Sequence, residues 1–251
     1  MRKMYEREWL GIEFTSYCRP SARSLADATF YDAFYRNFFQ RYQSWDDLDP
    51  NWRNQKRAIA RFIFDQLDSK DIVLSIGCGL GWIEHCLLDF SGGRIHLEAT
   101  DVAAAAVNWI KEEIPSDRLH IGLFPQCLIP GLKYNLIYMS ALDYCMDQFS
   151  LIGFLNRVAD YLTTKGKCLL ISASFDHPIP IGVRAIKAGK HIVASILEAV
   201  HLYHRGQFWG WTRTREDYHL AFSRAGYLTV RDGFINRDNG PPDYWIEGTA
   251  F

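Results

Sequence analysis

Ile72-Val73-Leu74-Ser75-Ile76-Gly77-Cys78-Gly79-Leu80-Gly81 is the stretch on which the fold turns. Its first five residues have the apolar, β-branched composition of a short buried strand. Glycine then recurs at every second position, giving a turn whose backbone can lie close to whatever sits above it. A helix from Trp82 to about Asp89 completes the unit. Strand, glycine turn and helix start in direct succession make a place where a ligand and the main chain can meet.

Downstream, the same alternation continues. Arg94 to Thr100 is a second strand, Ala103 to Glu113 a helix, Leu119 to Leu123 a third strand and Asn135 to Ser140 a fourth. Leu151 to Leu162 supplies another helix and Cys168 to Ala173 a fifth strand. That rhythm predicts a doubly wound α/β fold, a mostly parallel sheet with helices on both faces. It then breaks. Val183 to Tyr203 is amphipathic, with Ile186, Ile192, Val193 and Ile196 on one face and Arg184, Lys187 and His191 on another. No strand follows at once, so residues of about 178–210 are expected to form an inserted helical cap. Thr214 to Ala225 resumes as a helix ending at Gly226, and Tyr227 to Arg231 and Tyr244 to Thr249 are final strands.

Upstream, Phe30, Tyr31, Phe34, Tyr35, Phe38 and Phe39 recur at helical spacing between Ser24 and Tyr42, an amphipathic helix with a wide aromatic face. Asn54 to Leu67 is a further helix. The expected organisation is an N-terminal helical cap segment, 1–53, followed by an α/β domain, 54–251, that carries the insertion.

A glycine turn of this kind serves either a dinucleotide or S-adenosylmethionine. The dinucleotide fingerprint needs a third glycine for close helix–strand packing, and counting from Gly77 that position holds Trp82. The run from Ile72 to Gly81 instead resembles the first motif of the class I, Rossmann-like S-adenosylmethionine-dependent methyltransferases. Asp101, twenty residues after Gly81 at the end of the second strand, matches the family's ribose-binding acid. Tyr134 to Ser140, Thr164 to Ile171 and Ala225-Gly226-Tyr227 resemble the family's later elements. The resemblance implies a seven-stranded sheet of order 3-2-1-4-5-7-6 with strand 7 antiparallel. It also implies S-adenosylmethionine as cofactor, demethylated to S-adenosylhomocysteine, held by Ser75, Gly77, Cys78, Gly79, Gly81, Asp101, Val102, Phe124 and Ser140. Ser75 and Asn135 stand where the family usually has acids. Asp101 is also able to cap a helix beginning at Ala103, and the two roles are compatible. Adenine recognition is left open between backbone, Leu123, Phe124 and Gln126.

The chain has 251 residues, 48% of them hydrophobic, which is ample for a large core. A formal net charge of −1 gives no reason to expect a nucleic-acid partner. Charges between Arg2 and Glu8 leave no apolar signal segment, and no run reaches about 18 apolar residues, so a cytoplasmic protein without a membrane span is expected. The six cysteines show no CxxC pair, and no metal site is expected.

Methyl transfer needs the acceptor lone pair aligned behind the methyl group and water kept out. His177 and Asp143, after the fifth and fourth strands, are candidate bases. Each has a structural alternative, His177 as a loop residue before Pro178 and Asp143 as a cap. Tyr144, Trp209, Trp211 and Arg213 are candidate acceptor-binding residues, Arg213 as a clamp for an anionic group. The tryptophans would otherwise anchor the cap to the core. The expected activity is methylation of an O or N atom on a small molecule. The rivals are a non-catalytic cofactor-binding module and a membrane-surface enzyme whose basic amphipathic insertion lies on lipid.

Overall fold

Asp27 starts the first long helix by accepting the Phe30 N–H at 2.9 Å. The computed structural model describes residues 1–177, 206–237 and 240–249. Ahead of that helix lie three short strands, β1 (Arg2–Glu6), β2 (Glu8–Trp9) and β3 (Ile12–Glu13). Helix α1 spans Ala28–Arg41 and buries Phe34, Tyr35 and Phe38, the aromatic face expected from its spacing. Helix α2, Pro50–Phe64, has Pro50 in its first turn and Asp49 as its cap.

The sheet follows. Its strands are β4 (Ile72–Ile76), β5 (His96–Asp101), β6 (Leu119–Ile121), β7 (Tyr134–Ser140) and β8 (Leu162–Ser172), with β10 (Thr229–Ile235) and β11 (Asp243–Thr249) at the far edge. Their spatial order is β6-β5-β4-β7-β8-β11-β10. The first five strands in that order, from the β6 edge to β8, pair in parallel, and β11 runs antiparallel to both neighbours. Renumbered within the sheet, this is 3-2-1-4-5-7-6. Helices α2 and α3 (Trp82–Ser91) cover one face, where Ile59, Ile63, Leu87 and Val107 pack on Val73 and Leu97. Helices α4 (Gln148–Ala159) and α5 (Arg215–Arg224) cover the other, with Leu151, Leu155 and Phe222 against Leu74, Ile137 and Leu170. Thr214 opens α5 through a reciprocal capping box with Asp217.

Two expectations change. Ala103 to Glu113 is not an α-helix but two short 3-10 turns, Ala106–Asn108 and Ile110–Glu112. Packing overrides the helix propensity of the alanines here. Ala103 and Ala106 are buried in the cluster around α1, and Ile110 is buried beneath Gly81. The Trp-rich stretch is a strand, β9 (Gln207–Thr212), paired antiparallel with β1 across most of the chain's length. The expected helix from Val183 to Tyr203, and all of the 178–210 insertion up to residue 205, lies outside the described residues.

The N-terminal aromatics form a further core shared with the sheet's loops. Phe14, Phe34, Phe38 and Trp9 pack with Trp209 of β9, Leu80 of the glycine loop and Tyr144 after β7. Trp209 stacks on Phe14 at 5.2 Å and on Tyr144 at 5.7 Å. This aromatic cluster fastens α1 and the strands ahead of it over the carboxyl ends of β4, β5 and β7.

Candidate active site

The glycine loop is tied down before any ligand is considered. Gly77 and Cys78 donate their N–H groups to the Thr100 carbonyl at 2.8 and 3.0 Å, anchoring the loop to the end of β5. Gly77, Gly79 and Gly81 all take positive φ, +73°, +57° and +74°. Gly81 is the N-cap of α3. Asp101 reaches back from β5. One carboxylate oxygen accepts the Gly79 N–H and the other the Ala103 N–H, both at 2.8 Å. Burial raises its carboxyl above the ordinary aspartate range, and the Ala103 and Gly79 amides oppose that shift. Asp101 therefore braces the loop from below, and its bond to Ala103 closes a turn rather than capping a helix.

Asp101→Ala is accordingly expected to cost the ligand-free protein about 1–3 kcal/mol, the penalty for stranding amide donors that a charged acceptor had satisfied. Scanning calorimetry without ligand checks this. An unchanged melting temperature would show that the loop holds its shape without the brace.

Above the loop lies a cavity of about 1160 Å³. Ser75, Gly77, Cys78, Gly79, Gly81, Asp101, Val102, Phe124 and Ser140 all line it, and so do Tyr144 and Trp209. At one end are Gly122, Leu123, Phe124, Gln126 and Phe154; Phe124 is buried and packs on Phe154 at 5.5 Å. Over the loop stands Tyr35 of α1, whose hydroxyl would lie 3.0 Å from a Cβ on Gly79. Beside it the Tyr31 and Tyr144 hydroxyls are 3.2 Å apart. Burial raises the phenols of Tyr31, Tyr35 and Tyr144 well above their ordinary range, so they remain protonated and act as hydrogen-bonding groups. Cys145 also lines the cavity, its thiol pushed up to about 12 by burial.

Four of the residues singled out in the sequence do not line the cavity. Asp143 is fully buried, and one of its oxygens accepts the Ser172, Ser174 and Tyr218 hydroxyls at 2.9, 2.8 and 2.5 Å. Arg213 is also fully buried. It donates to the Asp143 carbonyl at 2.7 Å, to Gln148 Oε1 at 3.1 Å and to the Met146 carbonyl. Its guanidinium is thus committed to the loop after β7 and faces no ligand. The His177 ring packs edge-on against Phe175 at 4.9 Å. Trp211 packs against Phe208 within β9 at 5.0 Å.

The structure adds residues that sequence reading did not place at the site. Tyr31 and Tyr35 belonged to a recognised aromatic face, but spacing along a helix does not say what that face meets. Lys56 of α2 and Glu84 of α3 line the cavity too, both within helices whose charged residues ordinarily face solvent. Asn135 accepts the Ile72 N–H through Oδ1 at 3.0 Å and so joins β7 to the start of β4. Among the described residues no cluster of His, Cys, Asp or Glu is arranged to hold a metal ion, and no helix is long and apolar enough to cross a membrane.

No protein-family profile and no curated protein matches the sequence. Solved structures do match the fold. Human N-acetylserotonin methyltransferase in complex with S-adenosylmethionine aligns with a TM-score of 0.56 at 14% identity, over 90% of this chain and 57% of its own. The mitomycin 7-O-methyltransferase aligns with a TM-score of 0.56 at 17% identity, over 89% and 58%. Magnesium protoporphyrin IX methyltransferase from Synechocystis, with bound S-adenosylmethionine, gives 0.57 at 11% identity, over 92% of this chain and all of its own. The chain spans less than two thirds of the length of the first two, 57% and 58%. With its 3-2-1-4-5-7-6 sheet and glycine loop at the end of the first strand, the chain has the fold of the class I, Rossmann-like S-adenosylmethionine-dependent methyltransferases.

Proposed function

We propose that the chain is a methyltransferase that binds S-adenosylmethionine in this cavity and methylates an O or N atom of a small molecule. The observation that carries the reading is the convergence of three left-handed glycines, the buried carboxylate of Asp101 and an aromatic roof on one cavity. The fit is steric as well as polar. A side chain at Gly79 would meet the Tyr35 hydroxyl, so glycine keeps open the channel between loop and roof. Asp101 would accept the ribose hydroxyls, and Phe124 with the backbone of Gly122 and Leu123 would flank adenine. Neighbours of the same fold are crystallised with S-adenosylmethionine bound, which supports the choice of cofactor.

When bound, the cofactor supplies an electrophilic methyl group on a sulfonium. The chain's own residues orient the acceptor and exclude water. Tyr31, Tyr144 and Trp209 form an aromatic wall, Tyr144 stacked on Trp209 and Tyr31 edge-on to it, with the two tyrosine hydroxyls 3.2 Å apart, suited to an apolar or aromatic acceptor that offers or accepts a hydrogen bond. Residues 1–53 act as part of the cap, because Met4, Trp9, Tyr31 and Tyr35 all line the cavity. The described residues of the lining include no histidine. In this reading positioning of the acceptor by these residues supplies the main catalytic contribution.

Calorimetric titration tests the reading. Binding of S-adenosylmethionine or S-adenosylhomocysteine is expected, with no binding of NAD or NADP. Tight nicotinamide-dinucleotide binding without adenosylmethionine binding would overturn it.

A further inference from the structure

Among the charged groups that line the cavity, Lys56 and Glu84 are not fully used. Glu84 of α3 is 1% exposed. Its Oε1 accepts the Ser75 hydroxyl at 2.5 Å and the Tyr138 hydroxyl at 2.6 Å, while its Oε2 is buried with no partner. Lys56 of α2 donates to Ser140 Oγ at 3.3 Å and, among the described residues, makes no ion pair. The carboxylate that would most simply neutralise it, Asp243, is already occupied. It takes Arg237 Nε at 2.8 Å, a second Arg237 nitrogen, and Gln55 Nε2 at 3.0 and 3.1 Å.

Buried polar atoms are nearly always paired, and an unpaired one costs free energy that something else must offset. Here the unused acceptor and the underused donor lie in the same wall, beside Ser75 at the end of β4 and Ser140 at the end of β7. Burial acts on both. It raises the Glu84 carboxyl and lowers the Lys56 ammonium, so each would regain its charge on meeting an opposite one. A ligand group carrying one ammonium and one carboxylate satisfies both at once. A free anion or a free cation would satisfy only one.

We propose that Lys56 and Glu84 form a clamp for an α-amino-acid zwitterion, Lys56 receiving the carboxylate and Glu84 Oε2 the ammonium. This deepens the proposed function and rests on it, since the aminoacyl end of S-adenosylmethionine supplies such a group. β4, with Ser75, lies between β5, with Asp101, and β7, with Ser140, so a cofactor whose ribose is held by Asp101 would bring its aminoacyl end to Lys56 and Glu84 by crossing β4. Ser75 has an indirect part. Its hydroxyl holds Glu84 Oε1, which leaves Oε2 as the oxygen free for the ligand.

The test is a calorimetric comparison of two ligands on the full chain. S-adenosylhomocysteine carries the aminoacyl group, and 5′-methylthioadenosine is the same nucleoside thioether without it. The wild type should bind the first more tightly. Lys56→Met and Glu84→Gln should each weaken S-adenosylhomocysteine by about tenfold or more while changing methylthioadenosine by less than about twofold. Equal weakening of both ligands would make the two residues merely structural and overturn the clamp. So would equal affinity of the wild type for both, and in either case cofactor binding itself would stand. Binding of neither ligand would instead remove the proposed function and the clamp with it. Should the variants fail to fold, the wild type decides alone. Analogues of S-adenosylhomocysteine lacking only the amino or only the carboxyl group should each bind about tenfold more weakly, and undiminished affinity for either would overturn the assignment of its partner.

Discussion

Arg213→Met should lower the unfolding free energy by about 3–5 kcal/mol, because it removes three hydrogen bonds of a buried guanidinium, stranding Gln148 Oε1 and the Met146 carbonyl and leaving the Asp143 carbonyl with the Met146 N–H at 3.3 Å. The side chain is fully buried and holds the Asp143 and Met146 carbonyls and Gln148 Oε1 together. These acceptors lie on the loop after β7 and at the start of α4, so Arg213 joins β9 to the segment that carries Tyr144 and Cys145 into the cavity. In a chain of this size the loss corresponds to a melting temperature lower by roughly 6–20 °C. Arg213→Lys should recover only part of it, since an ammonium is a point donor and does not reproduce a planar fork. Thermal unfolding of the ligand-free protein measures the effect. A wild-type melting temperature combined with weakened acceptor binding would return Arg213 to the role of ligand clamp that its place in the sequence suggests.

That reversal shows where sequence reading reached its limit. Strand β4 and the glycine loop were legible because their pattern is local: four apolar residues and a serine, then glycine at alternate positions. The sheet order was legible only through the resemblance that these residues carry, since nothing in the spacing of later strands says which neighbour each takes. Burial of charge was not legible at all. Arg213 and Asp143 read as ligand-facing or solvated, and nothing in the sequence singled out Glu84 or Lys56, because charged side chains usually face solvent. Asp143 is held by Tyr218, Glu84 by Ser75 and Tyr138, Lys56 by Ser140, and Arg213 by Gln148 and the Asp143 and Met146 carbonyls, and all of these partners except Ser75 come from elements far away in the chain. Strand β1 was missed for a related reason. Arg2–Glu6 is rich in charge, and its partner β9 lies about two hundred residues later, so the pairing has no local signature. The alanine run after Asp101 misled in the opposite direction. Its helix propensity is real but small, and the packing of Ile110 beneath the glycine loop outweighs it.

That packing makes Gly81→Ala the second change expected to have a large effect, one that separates two physical costs usually mixed together. The first is conformational. Gly81 has φ +74°, a backbone state that a side chain disfavours by about 1–2 kcal/mol. The second is steric. A Cβ at this position would lie 2.4 Å from Ile110 Cβ and 2.7 Å from its Cγ1, well inside contact distance. Ile110 is fully buried against the sheet and cannot swing into solvent, so overpacking should add about 1–3 kcal/mol. Gly93, in the turn after α3, supplies the control. Its φ is +72°, and a Cβ there meets nothing within 4 Å, so Gly93→Ala carries the conformational cost alone. Chemical denaturation of the two variants should therefore show Gly81→Ala as the less stable by the steric increment. Relief of the clash would push the 3-10 turn at Ile110 away from the loop and spread the N-terminus of α3, so S-adenosylhomocysteine affinity should fall in Gly81→Ala and stay at the wild-type value in Gly93→Ala. Equal destabilisation of the two variants would mean that Ile110 yields without cost, and that glycine is required at position 81 for its backbone conformation alone.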